Sequence, residues 1–221
     1  MDDYDIVDIF SSIIYSWYLE NGRKLNWRET DNPYFILMAE MMLTRTRAEH
    51  VNRVYKKFIT TYSNIKLLSK ANIKELEEIL RPLGLKSRCK MLIKAANFII
   101  DKYNGVIPQD KDELLSIPGV GNYVAGMVMN CAFHKREYVV DTNIIRIFNR
   151  LLNLNINTDN IKDKEIIKYS SVYFDTENSR EYAYAILDFG SAICKSIKPL
   201  CNICIVNRYR LCEFSIRDNK E

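Results

Sequence analysis

Hydrophobic positions recur at helical spacing along almost the whole chain. Ile6, Ile9, Phe10, Ile13, Ile14 and Trp17 follow an i, i+3, i+4, i+7, i+8, i+11 pattern, and Asn21-Gly22 supplies a stop, which predicts an amphipathic first helix. From Pro33 the run Tyr34 to Leu43 is apolar on all sides except for Glu40. That predicts a buried helix opening on proline, with one anomalous carboxylate inside it. Further helices are predicted at about 47–60, 73–80, 88–103, 122–133, 142–152, 161–173 and 178–193. Asn72 and Glu75 stand in capping-box relation at the start of 73–80. Tyr138-Val-Val140 reads as a possible strand but is too short to found a sheet. The predicted fold class is all-α.

Composition narrows the picture. With 221 residues, 48% hydrophobic and 27% charged, the chain can bury a core without disulfides, so its six cysteines are not needed as staples. The net charge of +4 argues against a general polyanion-coating role and leaves room for a local basic face. The acidic start Met1-Asp-Asp-Tyr-Asp5 lacks the basic region of a secretory signal, and no uncharged run approaches the roughly 18 residues of a membrane span. The expectation is a cytoplasmic, nucleoid-associated protein with no membrane partner, and with cysteines reduced or metal-bound.

Four features carry possible chemistry. Cys194, Cys201, Cys204 and Cys212 are spaced C-x6-C-x2-C-x7-C, a donor set that suits tetrahedral zinc or an iron–sulfur cluster. Lys195, Lys198, Arg208 and Arg210 lie within that stretch, as a phosphate-facing surface or a solvated loop. Ile117-Pro-Gly-Val-Gly121 separates two helical segments; Gly119 and Gly121 permit unusual backbone geometry and leave amides open to an anion, although such a turn also simply joins packed helices. Asp141 follows an apolar run at the start of a helix, where it is either a plain N-cap or a carboxylate at the edge of a cleft. Glu40, surrounded by apolar positions, is either a raised-pKa acid or a buried acid paired with Arg or Tyr.

Taken in order, several segments resemble the helix-hairpin-helix DNA glycosylases of the endonuclease III and MutY superfamily. They are Leu25-Asn-Trp-Arg28 with Asn32-Pro-Tyr34, Ala39 to Thr46, Leu83-Gly-Leu85, the 117–121 turn, Val140-Asp-Thr142, Leu187-Asp-Phe-Gly190 and the cysteines. The resemblance implies two helical lobes with a DNA-binding cleft between them. One is a six-helix barrel lobe at 28–135 containing the helix-hairpin-helix; the other combines 1–27 and 136–221 and holds a [4Fe-4S] cluster on loop 194–212, with zinc as the alternative metal. The x7 spacing before Cys212 is longer than the family's usual x5 and leaves the cluster type less fixed than the fold.

Within that family, the residue at position 123 separates chemistries. Lysine there forms a Schiff base with the sugar, whereas the phenol of Tyr123 has no amine with which to do so. The resemblance therefore implies a monofunctional glycosylase without efficient lyase activity, with Asp141, Glu40 and Tyr123 as catalytic residues. Double-stranded DNA containing a mismatch is the implied partner of a monomer, contacted through Gly119, Val120, Gly121, Arg45 in the space of a flipped base, and Leu85 as a wedge. The chain is most similar to the thymine-DNA mismatch glycosylases of thermophilic archaea, by Leu43-Thr-Arg-Thr46, Tyr123, the runs 129–134 and 146–150, and the nine residues after Cys212. The implied substrate is thymine or uracil opposite guanine. The alternatives are a MutY-like adenine glycosylase acting opposite 8-oxoguanine or guanine, and a catalytically silent DNA-binding iron–sulfur protein.

Overall fold

The computed structural model describes residues 1–84 and 86–218. Its helices in chain order are α1 (Asp3–Asn21), α2 (Pro33–Leu43), α3 (Ala48–Thr61), α4 (Ile65–Ser69), α5 (Ile73–Leu80), α6 (Lys86–Tyr103) and α7 (Lys111–Leu115). They continue with α8 (Asn122–Phe133), α9 (Thr142–Leu152), α10 (Lys164–Tyr173), α11 (Ser179–Ala192), α12 (Ile205–Arg208) and α13 (Glu213–Asp218). No strand occurs among the described residues, and Tyr138-Val-Val140 is an irregular connector. The chain divides into two compact units, Lys24–Phe133 and Met1–Arg23 with His134–Glu221.

In the Lys24–Phe133 unit, α2 is the central element. Asn32 caps it by accepting from the amides of Tyr34 and Phe35, and Pro33 occupies the first turn, where its missing N–H costs nothing. Every residue from Tyr34 to Met42 except Phe35 is buried, because α3, α6 and α8 all pack against α2. A helix covered on several sides can be apolar all round, and Glu40 is therefore enclosed. Asn72 caps α5 as predicted, but Glu75 does not return the bond; it accepts instead from the Tyr62 hydroxyl at 3.4 Å, so the predicted capping box is only half formed. The short helices α4 and α7 escaped the periodicity because five residues span little more than one turn.

The Met1–Arg23 and His134–Glu221 unit packs α1 on α10, α11 and α12, with α9 against α10, α11 and α13. Its core is aromatic: Phe10 meets Phe148, Tyr173 and Phe189 at centroid distances of 6.3, 6.1 and 5.9 Å. Such pairs add to ordinary apolar burial. The buried Asp188 receives both the backbone amide and Nε of Arg23 at 2.7 Å, so the carboxylate of Leu187-Asp-Phe-Gly190 ties the end of α1 to α11. Gly190 lets α11 approach α9 closely, since a Cβ there would lie 3.2 Å from the Ile147 side chain.

Candidate active site

Glu40 is 1% exposed. Its pKa is pushed up to about 7, chiefly by burial, with the Arg28 guanidinium and a hydrogen bond from Tyr123 opposing the rise. Oε2 is buried without a hydrogen-bond partner, so the group is a protonatable acid with one oxygen unspent. Tyr123 reaches it from the first turn of α8, while Tyr55, edge-on to Trp27 at 5.7 Å, feels its charge. Trp27 is a packing residue, as its burial requires. The sequence singled out Glu40 but gave Arg28 and Tyr55 no role. Burial brings them to it, and no spacing pattern announces that.

The turn before α8 is a tight one: Val120 donates from its amide to Ile117 O at 3.0 Å and its side chain is buried. Gly119 adopts φ +86°, and a Cβ there would fall within 2.6 Å of the Met91 side chain. Gly121 differs from expectation. Its backbone is not left-handed, nothing lies within 4 Å of the Cβ it lacks, and it is exposed, so what it offers is close approach to its backbone rather than special geometry.

Arg45 is exposed, on the connector between α2 and α3, with φ +56°. Leu85 lies outside the described residues.

Asp141 caps α9. Oδ1 accepts from the amides of Asn143 (2.9 Å) and Ile144 (2.8 Å), and Oδ2 accepts from Asn143 Nδ2 at 2.7 Å. Burial nonetheless raises its pKa, against these three bonds and the charge of Arg146. The cap does not exhaust the acceptors of Asp141, because each carboxylate oxygen has a second lone pair. Arg146 continues down α9 to donate to Cys194 O and Gly190 O, each at 3.0 Å.

Cys194, Cys201, Cys204 and Cys212 line one apolar cavity together with Phe10, Leu151, Phe189, Val206 and Phe214. Arg150 is its fastener. Nη1 donates to Cys194 Sγ at 3.4 Å and to Lys195 O at 2.6 Å, Nη2 to Ser196 O at 3.1 Å, and the Cys212 thiol donates to the Arg150 carbonyl at 3.4 Å. Among the described residues no three His, Cys, Asp or Glu side chains are gathered as around a single metal ion. The donor set itself, four thiols in an apolar shell, fits an iron–sulfur cluster. Lys195, Lys198, Arg208 and Arg210 are all exposed around it. No helix among the described residues is long and apolar enough to cross a membrane.

Residues 38–171 match a family described as HhH-GPD superfamily base excision DNA repair protein. A thymine-DNA glycosylase of Aeropyrum pernix is 38% identical over 197 residues, covering 86% of this chain and 88% of its own. A thymine/uracil-DNA glycosylase of Pyrobaculum aerophilum is 33% identical over 200 residues, covering 88% and 87%. The solved structure of a thermostable thymine-DNA glycosylase superposes with a TM-score of 0.89 at 29% identity, over 96% of this chain and 98% of that one.

Proposed function

Because the chain belongs to the HhH-GPD superfamily of base excision DNA repair proteins, we propose that it is a monofunctional DNA glycosylase that releases thymine or uracil mispaired with guanine. The observation that carries this reading is Glu40, a fully buried acid with a pKa near neutrality and a free oxygen. An extruded pyrimidine offers carbonyl oxygens on which negative charge develops as its bond to the sugar breaks. A proton held at Glu40 stabilises that charge. Arg28 and Tyr123 stand beside it, the one as a fixed cation and the other as a hydroxyl that orients the carboxyl.

Asp141 acts on the sugar. As a carboxylate held by the amides of Asn143 and Ile144, it stabilises the cationic sugar and accepts a proton from the attacking water. The amides of Gly119 and Gly121 take a DNA phosphate, on a turn that the Val120 amide closes by donating to Ile117 O, and Arg45 fills the space of the extruded base. Selectivity begins with the duplex, since a mispaired base costs less to extrude than a matched one.

A [4Fe-4S] cluster on Cys194, Cys201, Cys204 and Cys212 belongs to the same reading, supported by the cavity they share. Cys194, Cys201, Cys204 and Cys212 would hold the cluster, and a bound cluster would tie together the loop 194–212 on which Lys195, Lys198, Arg208 and Arg210 are exposed. Purified protein is expected to be brown, absorbing near ~400 nm with iron and sulfide in equal amounts; colourless protein with stoichiometric zinc contradicts this.

The monofunctional assignment rests on Tyr123, whose phenol cannot form an imine. Product strands should break only after alkali, and borohydride should trap no adduct. Tyr123→Lys should yield a trappable adduct and nicking without alkali. Nicking by the unaltered protein contradicts the assignment.

A further inference from the structure

Arg88 makes three side-chain hydrogen bonds that the proposed chemistry leaves unused. It is buried and is the third residue of α6, where the positive end of a helix dipole disfavours a cation. From there Nη1 donates to Met42 O at 2.6 Å and to Thr46 Oγ1 at 2.7 Å, and Nη2 donates to Thr44 O. All three acceptors are neutral oxygens. Burying a guanidinium on neutral oxygens is costly, and the carbonyls closing α2, which have no partner within the helix and lie at the negative end of its dipole, offset that cost.

The gripped segment is the connector that carries Arg45. Arg45 sits at φ +56°, a backbone region that a side-chain-bearing residue occupies only where its surroundings impose it. Arg88 holds the residue before it by the carbonyl and the residue after it by the hydroxyl. With both neighbours pinned, the exposed Arg45 side chain is presented in one direction.

We infer that Arg88 is a positioning residue for base extrusion: by clamping Thr44 and Thr46 it fixes Arg45 outward, ready to occupy the gap in the duplex. This rests on the proposed role of Arg45. The planar fork matters, because the single nitrogen of a lysine cannot stand at the Nη1 and Nη2 positions at once and so cannot hold Thr44 and Thr46 from both.

The test compares single-turnover uracil release from a G·U duplex and from a uracil-containing single strand, where no gap needs filling. Arg88→Gln should slow the duplex reaction about tenfold or more and leave the single-strand rate within about twofold, with Arg88→Lys between Gln and the unaltered protein. In an Arg45→Ala background Arg88→Gln should add nothing, since residues that act as one unit are not additive. Equal losses on both substrates with a lowered melting temperature mean that Arg88 only maintains the fold, and overturn the inference. A duplex loss that adds fully to that of Arg45→Ala overturns it while leaving the Arg45 reading intact. An Arg45→Ala protein with an unchanged duplex rate removes that reading and this inference with it.

Discussion

The two carboxylates on which the proposed chemistry depends are housed in opposite ways. Glu40, in the Lys24–Phe133 unit, is enclosed by a helix covered on several sides and keeps one oxygen without a partner. Asp141, in the other unit, spends both oxygens on amide and side-chain donors at the head of α9. Burial pushes both pKa values up, but only Asp141 has three hydrogen bonds and a nearby Arg146 pulling back. Divergent environments give two carboxyl groups different tasks in the proposed chemistry: the under-satisfied Glu40 as the acid and the well-satisfied Asp141 as the anion.

The largest test removes the anion. Asp141→Asn keeps an oxygen for the cap but loses the charge, and base release should fall about a thousandfold with DNA binding retained. Undiminished turnover measured on a G·U duplex removes Asp141 from the mechanism.

Next is the acid. Glu40→Gln should slow release about a hundredfold at pH 6 and erase the decline in rate that the unaltered protein shows as pH rises through about 7. The same substitution should stabilise the fold. The folded state holds the Glu40 proton more tightly than the unfolded chain does, so the stability of the unaltered protein falls as pH climbs from about 4.5 to about 7 and is flat above. Thermal melts should therefore show no gain for Glu40→Gln at pH 4 and a gain approaching about 3 kcal/mol at pH 8. A gain independent of pH means that Glu40 is not the titrating group.

The smallest effect sharpens the contrast. Tyr123→Phe deletes a hydrogen bond that lowers the Glu40 pKa, so the descending limb of the rate profile should move to higher pH by less than about one unit. A shift to lower pH shows that the phenol is not bonded to the ionised carboxylate.

Long periodic helices were legible in the sequence: α5, α8 and α9 begin and end where their patterns do. Glu40 stood out because a lone charge in an apolar run has nowhere to go but inside. Asp141 was legible as a cap, and the cap is what the structure contains. Arg28 and Arg88 were not assigned roles, because their importance lies in what folding sets beside them from elsewhere in the chain, namely Glu40 for the one and the closing carbonyls of α2 for the other. Arg88 did leave a faint signal, a cation in the first turn of a helix, where the dipole argues against it. The half-formed capping box at Asn72 failed for a similar reason: Glu75 has a tertiary partner in Tyr62, which local spacing cannot reveal.

The most direct measurement is base release from matched sets of duplexes carrying G·T, G·U, A·8-oxoguanine or A·G, each assayed with and without alkali. The account predicts release from the thymine or uracil strand alone, with strand breakage only after alkali. Preferential release of adenine, or tight DNA binding with no release from any duplex, contradicts it.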